Sequence, residues 1–207
     1  MIMAIIGICG KMGSRMYDYY KDEFTIIGID LIKHPVVQTY NSLKECEGNV
    51  DVIVDFSSVE CFDVLLEGLN RGIPILSGTT GYKIEEIDTL NQLAREKNTP
   101  FVWKANYAKG IKLFSKLIQS CKNEFELLDF IEVHATTKKD APSGTAKVLA
   151  NELGISENKI QSLRINQAPA IHEILFSSLD ERVILRHEII NKKAFITGFD
   201  EELRKVI

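Results

Sequence analysis

Residues 134–147 read HATTKKDAPSGTAK: one histidine, three lysines, an Asp-Ala-Pro turn and a Ser-Gly-Thr within a single polar stretch. Its residue types suit proton transfer next to a bound anion. His134 can hold or release a proton near neutrality. Lys138 can attract a carboxylate and donate a proton. Ser143, Gly144 and Thr145 precede or open a helix, where backbone N–H groups and hydroxyls can bind a carboxylate. Pro142 stiffens the approach. Each feature also has a plainer reading. A histidine at a strand end is usually structural, a Lys-Lys pair is usually surface charge, and Ser-Gly-Thr before a helix is usually a cap.

A second chemical signal lies near the start. Gly7-Ile8-Cys9-Gly10-Lys11-Met12-Gly13 sits between an apolar run and a helical pattern and reads GxxGxxG, not the stricter GxGxxG. Glycines there permit a tight turn and let backbone amides approach a pyrophosphate at a helix N-terminus. Asp30 ends the next apolar run, where a carboxylate can accept hydrogen bonds from adenine ribose hydroxyls. No arginine follows it, which favours NADH, while Lys11 and Lys33 keep NADPH open. Phe56-Ser57-Ser58 and Gly78-Thr79-Thr80-Gly81 follow later apolar runs. In an open parallel sheet such loops line the ligand crevice.

The elements that must position these residues fall into two rhythms. Apolar strand patterns at 2–8, 24–29, 50–56, 73–76 and 101–104 alternate with helical patterns at 12–20, 59–70 and 84–97. That alternation predicts a parallel sheet covered on both faces. Beyond a boundary near residues 106–109 the pattern changes. A helix is expected over 111–122, a strand over 127–133 and a short helix over 145–153 closed by Gly154. Strands then dominate, with period-two alternation at 183–189 and a last strand expected at 194–199. The fold class is α/β, a Rossmann-like parallel-sheet dinucleotide domain followed by an α+β mixed-sheet domain.

Composition narrows the function. Hydrophobic residues make up 45% of 207, enough for a core, and 25 Lys plus Arg against 29 Asp plus Glu give a net charge of −4. That disfavours a general nucleic-acid binder. Cys9, Cys46, Cys61 and Cys121 form no CxxC pair, so neither a disulfide framework nor a zinc site is expected, and a reducing, cytoplasmic setting is the default. The apolar N-terminus lacks a basic region, so no signal peptide is expected, and no apolar run is long enough to span a membrane.

The three motifs together, with Glu132-Val133-His134 ahead of Lys138 and Asp140-Ala141-Pro142-Ser143-Gly144-Thr145-Ala146, resemble the bacterial 4-hydroxy-tetrahydrodipicolinate (dihydrodipicolinate) reductase family. Asn106-Tyr107-Ala108-Lys109-Gly110 is similar to the family's Asn-Phe-Ser-x-Gly turn. The resemblance implies NAD(P)H-dependent reduction of a small dicarboxylate cyclic imine in lysine and diaminopimelate biosynthesis, by a homotetramer. It implies a dinucleotide domain over 1–107, rejoined by 191–207, and a substrate-binding and oligomerisation domain over 108–190. By the same resemblance His134 and Lys138 are catalytic, and Gly144 and Thr145 bind a substrate carboxylate. Gly7, Ile8, Cys9, Gly10, Lys11, Met12, Asp30, Gly78, Thr79, Thr80, Lys104, Ala105, Asn106 and Tyr107 contact NADH or NADPH, and no metal is implied. Ala135 stands where the family usually has a second histidine, Thr136-Thr137 replaces a His- or Arg-rich stretch, and the family's Gly-Glu-His-Thr is only partly visible around Ile171-His172-Glu173. The alternatives are a related NAD(P)-dependent dehydrogenase acting on another small carboxylate, and a catalytically weak nucleotide- or dicarboxylate-binding protein.

Overall fold

The computed structural model describes residues 1–46 and 48–207. The chain divides into two compact units, Met1–Lys104 with Phe199–Ile207, and Ala105–Gly198.

The first unit is a six-stranded sheet in the order β3-β2-β1-β4-β5-β6, from Thr39–Tyr40, Thr25–Ile29, Ile2–Ile6, Val52–Asp55, Ile75–Ser77 and Phe101–Trp103. Every pairing is parallel. Parallel strands need crossovers, here α1 (Gly13–Tyr20), α2 (Phe62–Asn70) and α3 (Ile84–Glu96). Ala4, Ile6, Ile53 and Ile75 pack with Leu65 and Leu69 of α2 and Leu90 of α3 in one buried cluster. Each buried isoleucine or leucine contributes about 1.5–3 kcal/mol by leaving water. On the alternate strand positions Met3, Ile5, Val52, Val54 and Leu76 are also fully buried, which explains the near-continuous apolar runs. The two-residue β3 was not foreseen, because it carries no apolar run.

The second unit is a four-stranded mixed sheet, β10-β9-β7-β8, from Arg182–Ile189, Ala170–Ser177, Leu127–Ala135 and Ile160–Ile165. Only β7 and β8 run parallel. One face carries Phe130, Ile160, Ile174 and Phe176, packed under α4 (Lys109–Cys121) and α5 (Gly144–Leu153). Ser143 caps α5 by accepting a 3.2 Å hydrogen bond from the Ala146 N–H, and Gly154 ends it at φ 72°.

One expected strand is wrong. Residues 194–199 lie inside α6, Lys193–Leu203. The Asn191 side chain accepts from the Lys193 N–H at 2.8 Å, and Ile196, Phe199 and Leu203 are buried at helical spacing. The run AFITGF is too short to reveal that period, so its β-forming residues misled the reading. No helix among the described residues is long and apolar enough to cross a membrane.

Candidate active site

In the first unit, the turn after β1 closes on its own backbone. The Gly7 N–H donates to the Ile29 carbonyl and the Gly10 N–H to the Gly7 carbonyl, both at 2.9 Å. Gly7 has φ 75°, a conformation glycine adopts without strain. A Cβ on Gly13 would lie 2.0 Å from the Gly7 carbonyl oxygen, so the start of α1 packs directly on the turn. Asp30, just past β2, holds its carboxylate over this turn by accepting from the Cys9 and Ile32 N–H groups, each at 3.0 Å. Cys9 is further tied to Ile32 through its thiol, and burial, followed by the Asp30 carboxylate, raises the thiol pKa. Lys11 and Lys33 are exposed. A glycine cradle that a Cβ would fill, opening a helix and facing a fixed carboxylate, fits a dinucleotide.

The next strand ends are cross-tied. Asp55, fully buried at the end of β4, accepts from the Ser57 hydroxyl at 2.5 Å and the Ser77 hydroxyl at 2.6 Å. Burial pushes its carboxyl pKa up, against the pull of Ser57, Ser77 and Thr79. The Ser57 N–H donates to the Thr79 hydroxyl at 2.9 Å, and the Trp103 indole N–H donates to the Thr79 carbonyl at 2.8 Å. Gly78 lies against the Phe56 ring and Thr80 is exposed. Asp55, Ser77 and Trp103 were not singled out from the sequence. The buried carboxylate could have been suspected as the last residue of VDVIVD. Lys104 pairs with Glu202 at 2.9 Å within this unit.

In the second unit, β7 carries Glu132 and His134 on the helix-covered face, by alternation with Val133 and Ala135. Ala135 pairs with Ile165. The Glu132 carboxylate is fully buried, touches the His134 Nδ1 and lies 2.8 Å from an Arg164 guanidinium nitrogen. Burial alone would raise its pKa, but His134, Arg164 and Ser162 outweigh that and hold it at about 2. His172, opposite Glu132 on β9, places its ring 5.6 Å from that of His134, edge to face. Its Nε2 stands 3.5 Å from the Ser143 hydroxyl. The loop after β7 follows: Lys138 pairs with Asp140 at 2.8 Å, and the Ala141–Pro142 peptide is cis. Arg164 donates to the Asp140 carbonyl as well. Asn106 donates to the Thr145 hydroxyl at 3.2 Å and accepts from the Ala108 N–H, so one expected cofactor contact touches the expected carboxylate turn. Tyr107 is buried. Arg164 is absent from the sequence reading because nothing local links it to residues thirty positions earlier.

A family model described as dihydrodipicolinate reductase, N-terminus, matches residues 1–107, and one described as dihydrodipicolinate reductase, C-terminus, matches residues 110–206. The chain belongs to the dihydrodipicolinate reductase family. A 4-hydroxy-tetrahydrodipicolinate reductase of Rickettsia bellii is 31% identical, over 95% of this chain and 85% of that protein. One of Clostridium novyi is 28% identical, over 93% and 86%. A dipicolinate-bound dihydrodipicolinate reductase from Paenisporosarcina sp. TG-14 has the same fold, with a TM-score of 0.77 at 22% identity over 99% of this chain and 94% of that one. An aspartate dehydrogenase from Thermotoga maritima shares the fold at a TM-score of 0.63 and 14% identity, over 99% and 96%.

In this mixed sheet His172 has a measurable signature. Its pKa is lowered to about 3, by burial first and then by the charges of His134 and His187. Below pH 6.5 the unfolded chain's histidine takes up a proton while folded His172 stays neutral. Stability attributable to it is therefore full above pH 6.5 and drains as pH falls toward 3. His172→Gln is expected to flatten the acid limb of stability by up to one proton, about 1.4 kcal/mol per pH unit. Urea unfolding at several pH values checks this, and an unchanged slope rejects it.

Proposed function

We propose that the protein uses NADH or NADPH to reduce the cyclic imine derived from 4-hydroxy-tetrahydrodipicolinate to tetrahydrodipicolinate, in the cytoplasmic synthesis of diaminopimelate and lysine. One observation carries the reading: His134, Lys138 and the Ser143-capped start of α5 belong to a single loop system in a chain of this family. Residues 1–107 with 191–207 act as the dinucleotide domain, and residues 108–190 as the substrate and oligomerisation domain.

The cofactor, when bound, supplies hydride to a carbon of the conjugated imine. Gly7, Ile8, Cys9, Gly10, Lys11 and Met12 would hold its pyrophosphate and Asp30 its ribose. Gly78, Thr79, Thr80, Lys104, Ala105, Asn106 and Tyr107 would hold the remainder. Gly144 and Thr145 bind a substrate carboxylate at the helix N-terminus, where free N–H groups and the helix dipole favour an anion. As negative charge builds on the nitrogen side, the Lys138 ammonium donates the proton that completes the reduction and recovers it from solvent. His134 orients the ring and buffers that proton. The test is a steady-state assay with the product of dihydrodipicolinate synthase. NADH is expected to serve at least as well as NADPH, because Asp30 would face a 2′-phosphate. A preference for NADPH above about tenfold, about 1.4 kcal/mol, rejects that assignment. No turnover with either cofactor rejects the function.

The outer face of the mixed sheet supports the homotetramer. Leu127, Leu163, Ile165 and Ile184 alternate with the core positions of their strands and stay 46–57% exposed. Exposed apolar side chains interspersed with the Arg186–Glu173 pair on this face suit an interaction surface. Ile184→Glu combined with Leu163→Asp is expected to convert a tetramer into smaller species in light scattering. A wild-type monomer, or a double variant that stays tetrameric, defeats this assignment.

A further inference from the structure

We infer that Glu132 is the positioning residue of the site: it fixes the tautomer and the ring orientation of His134, and Arg164 holds Glu132 in place to do so. The inference rests on the role proposed for His134 and names a residue that acts through it.

Glu132 and His134 are two residues apart on β7, so both side chains leave the same face of the sheet. Ser162 and Arg164 are their cross-strand partners on β8. The four side chains therefore form one row, with the Glu132 carboxylate at its centre and no exposure to water. One oxygen contacts the His134 Nδ1 and the other the Arg164 guanidinium at 2.8 Å. The contact with His134 is an ion-pair approach without hydrogen-bond alignment, so its strength rests on charge and burial.

An ionised carboxylate can only accept hydrogen bonds. A neutral His134 facing it must carry its proton on Nδ1, which leaves the Nε2 lone pair as the free acceptor. Nδ1 is itself buried, so the exposed part of the ring, which has 12% side-chain exposure, lies on its other atoms. A buried acid at the inner nitrogen thus turns the outer nitrogen toward proton chemistry. Arg164 serves two ends: it neutralises Glu132, whose charge would otherwise be costly to bury, and it grips the Asp140 carbonyl beside Lys138. The row consequently ties the histidine to the loop that carries the lysine.

Glu132, His134 and His172 also bring their ligand atoms within 4.8 Å of one another. A cation there would meet the Arg164 guanidinium already paired with Glu132. Charge therefore favours the positioning role over a metal site.

The test reads the imidazole nitrogens directly. Protein labelled with 15N histidine gives long-range 1H–15N spectra that distinguish the two tautomers. Wild-type His134 is expected as the Nδ1–H tautomer. In Glu132→Gln, whose amide can donate as well as accept, the tautomers are expected to mix, with kcat lowered about tenfold or more and NADH affinity held within about twofold. An Nε2–H tautomer in the wild type overturns the inference without any variant, so a misfolded Glu132→Gln does not shield it. Retention of the Nδ1–H tautomer in Glu132→Gln overturns it too. A changed tautomer with unchanged kcat upholds the positioning by Glu132 and instead removes His134 from the chemistry.

Discussion

Replacing Lys138 by alanine is expected to lower kcat about 10²-fold or more while NADH affinity stays within about twofold. Lys138 stands on the loop after β7, with its ammonium 2.8 Å from the Asp140 carboxylate. Burial would raise the Asp140 pKa, but Lys138 and nearby backbone donors bring it below the ordinary value. Asp140 is thus an anion kept in balance by the lysine. With Lys138 as the proposed proton donor, alanine would remove the proton source and leave that anion facing a dianionic substrate, so KM should rise together with the fall in kcat. Lys138→Arg separates the two effects. Arginine keeps the charge but does not give up its proton at neutral pH, so KM should recover toward wild type while kcat stays low. Calorimetry with NADH supplies the control, because the nucleotide cradle belongs to the other unit. If Lys138→Ala keeps kcat within about threefold at saturating substrate, the proton donor is another group.

The legible parts of this chain were those whose physics is local. Strands β1, β4 and β5 announce themselves because both faces are covered, so nearly every residue is apolar. The α5 boundaries were readable from Ser143 at one end and Gly154 at the other. The candidate residues His134 and Lys138 stood out because the stretch from the end of β7 through the following loop runs into a helix cap. What escaped depends on neighbours distant in sequence. Arg164 meets Glu132 only because β8 pairs in parallel with β7, and the register of that pairing has no local signature. His172 looked like the remnant of a motif, yet strand pairing lays it beside His134 and Ser143. The strand expected at residues 194–199 failed for a related reason. Its helical stripe becomes visible only when Leu203 is included and when the partners that bury Ile196 and Phe199 are known.

Gly13→Ala is expected to weaken NADH binding by about 10²-fold or more, about 2.8 kcal/mol, and to lower the melting temperature as well. The added Cβ would sit 2.0 Å from the Gly7 carbonyl oxygen, 2.7 Å from its carbon and 2.8 Å from the Ile8 Cα. All three are backbone atoms, so no rotamer change can make room. Either α1 must back away from the turn or the turn must move off β1. Both movements disturb the same bonds: Gly10 N–H to the Gly7 carbonyl, and the Ser14 hydroxyl to the Gly10 carbonyl at 2.7 Å. Those bonds aim the free amides that would meet the pyrophosphate. Overpacking of this kind typically costs about 1–3 kcal/mol in stability. Gly10→Ala provides a graded comparison, since its Cβ would have a single tight contact, 3.0 Å from the Gly7 oxygen. Its loss of affinity should therefore be several-fold smaller. Backbone 1H–15N spectra of residues in the second unit report whether it is intact in both variants. A folded Gly13→Ala that binds NADH within about threefold of wild type would mean that helix and turn need not touch to form the cradle, and the pyrophosphate would have to be placed elsewhere.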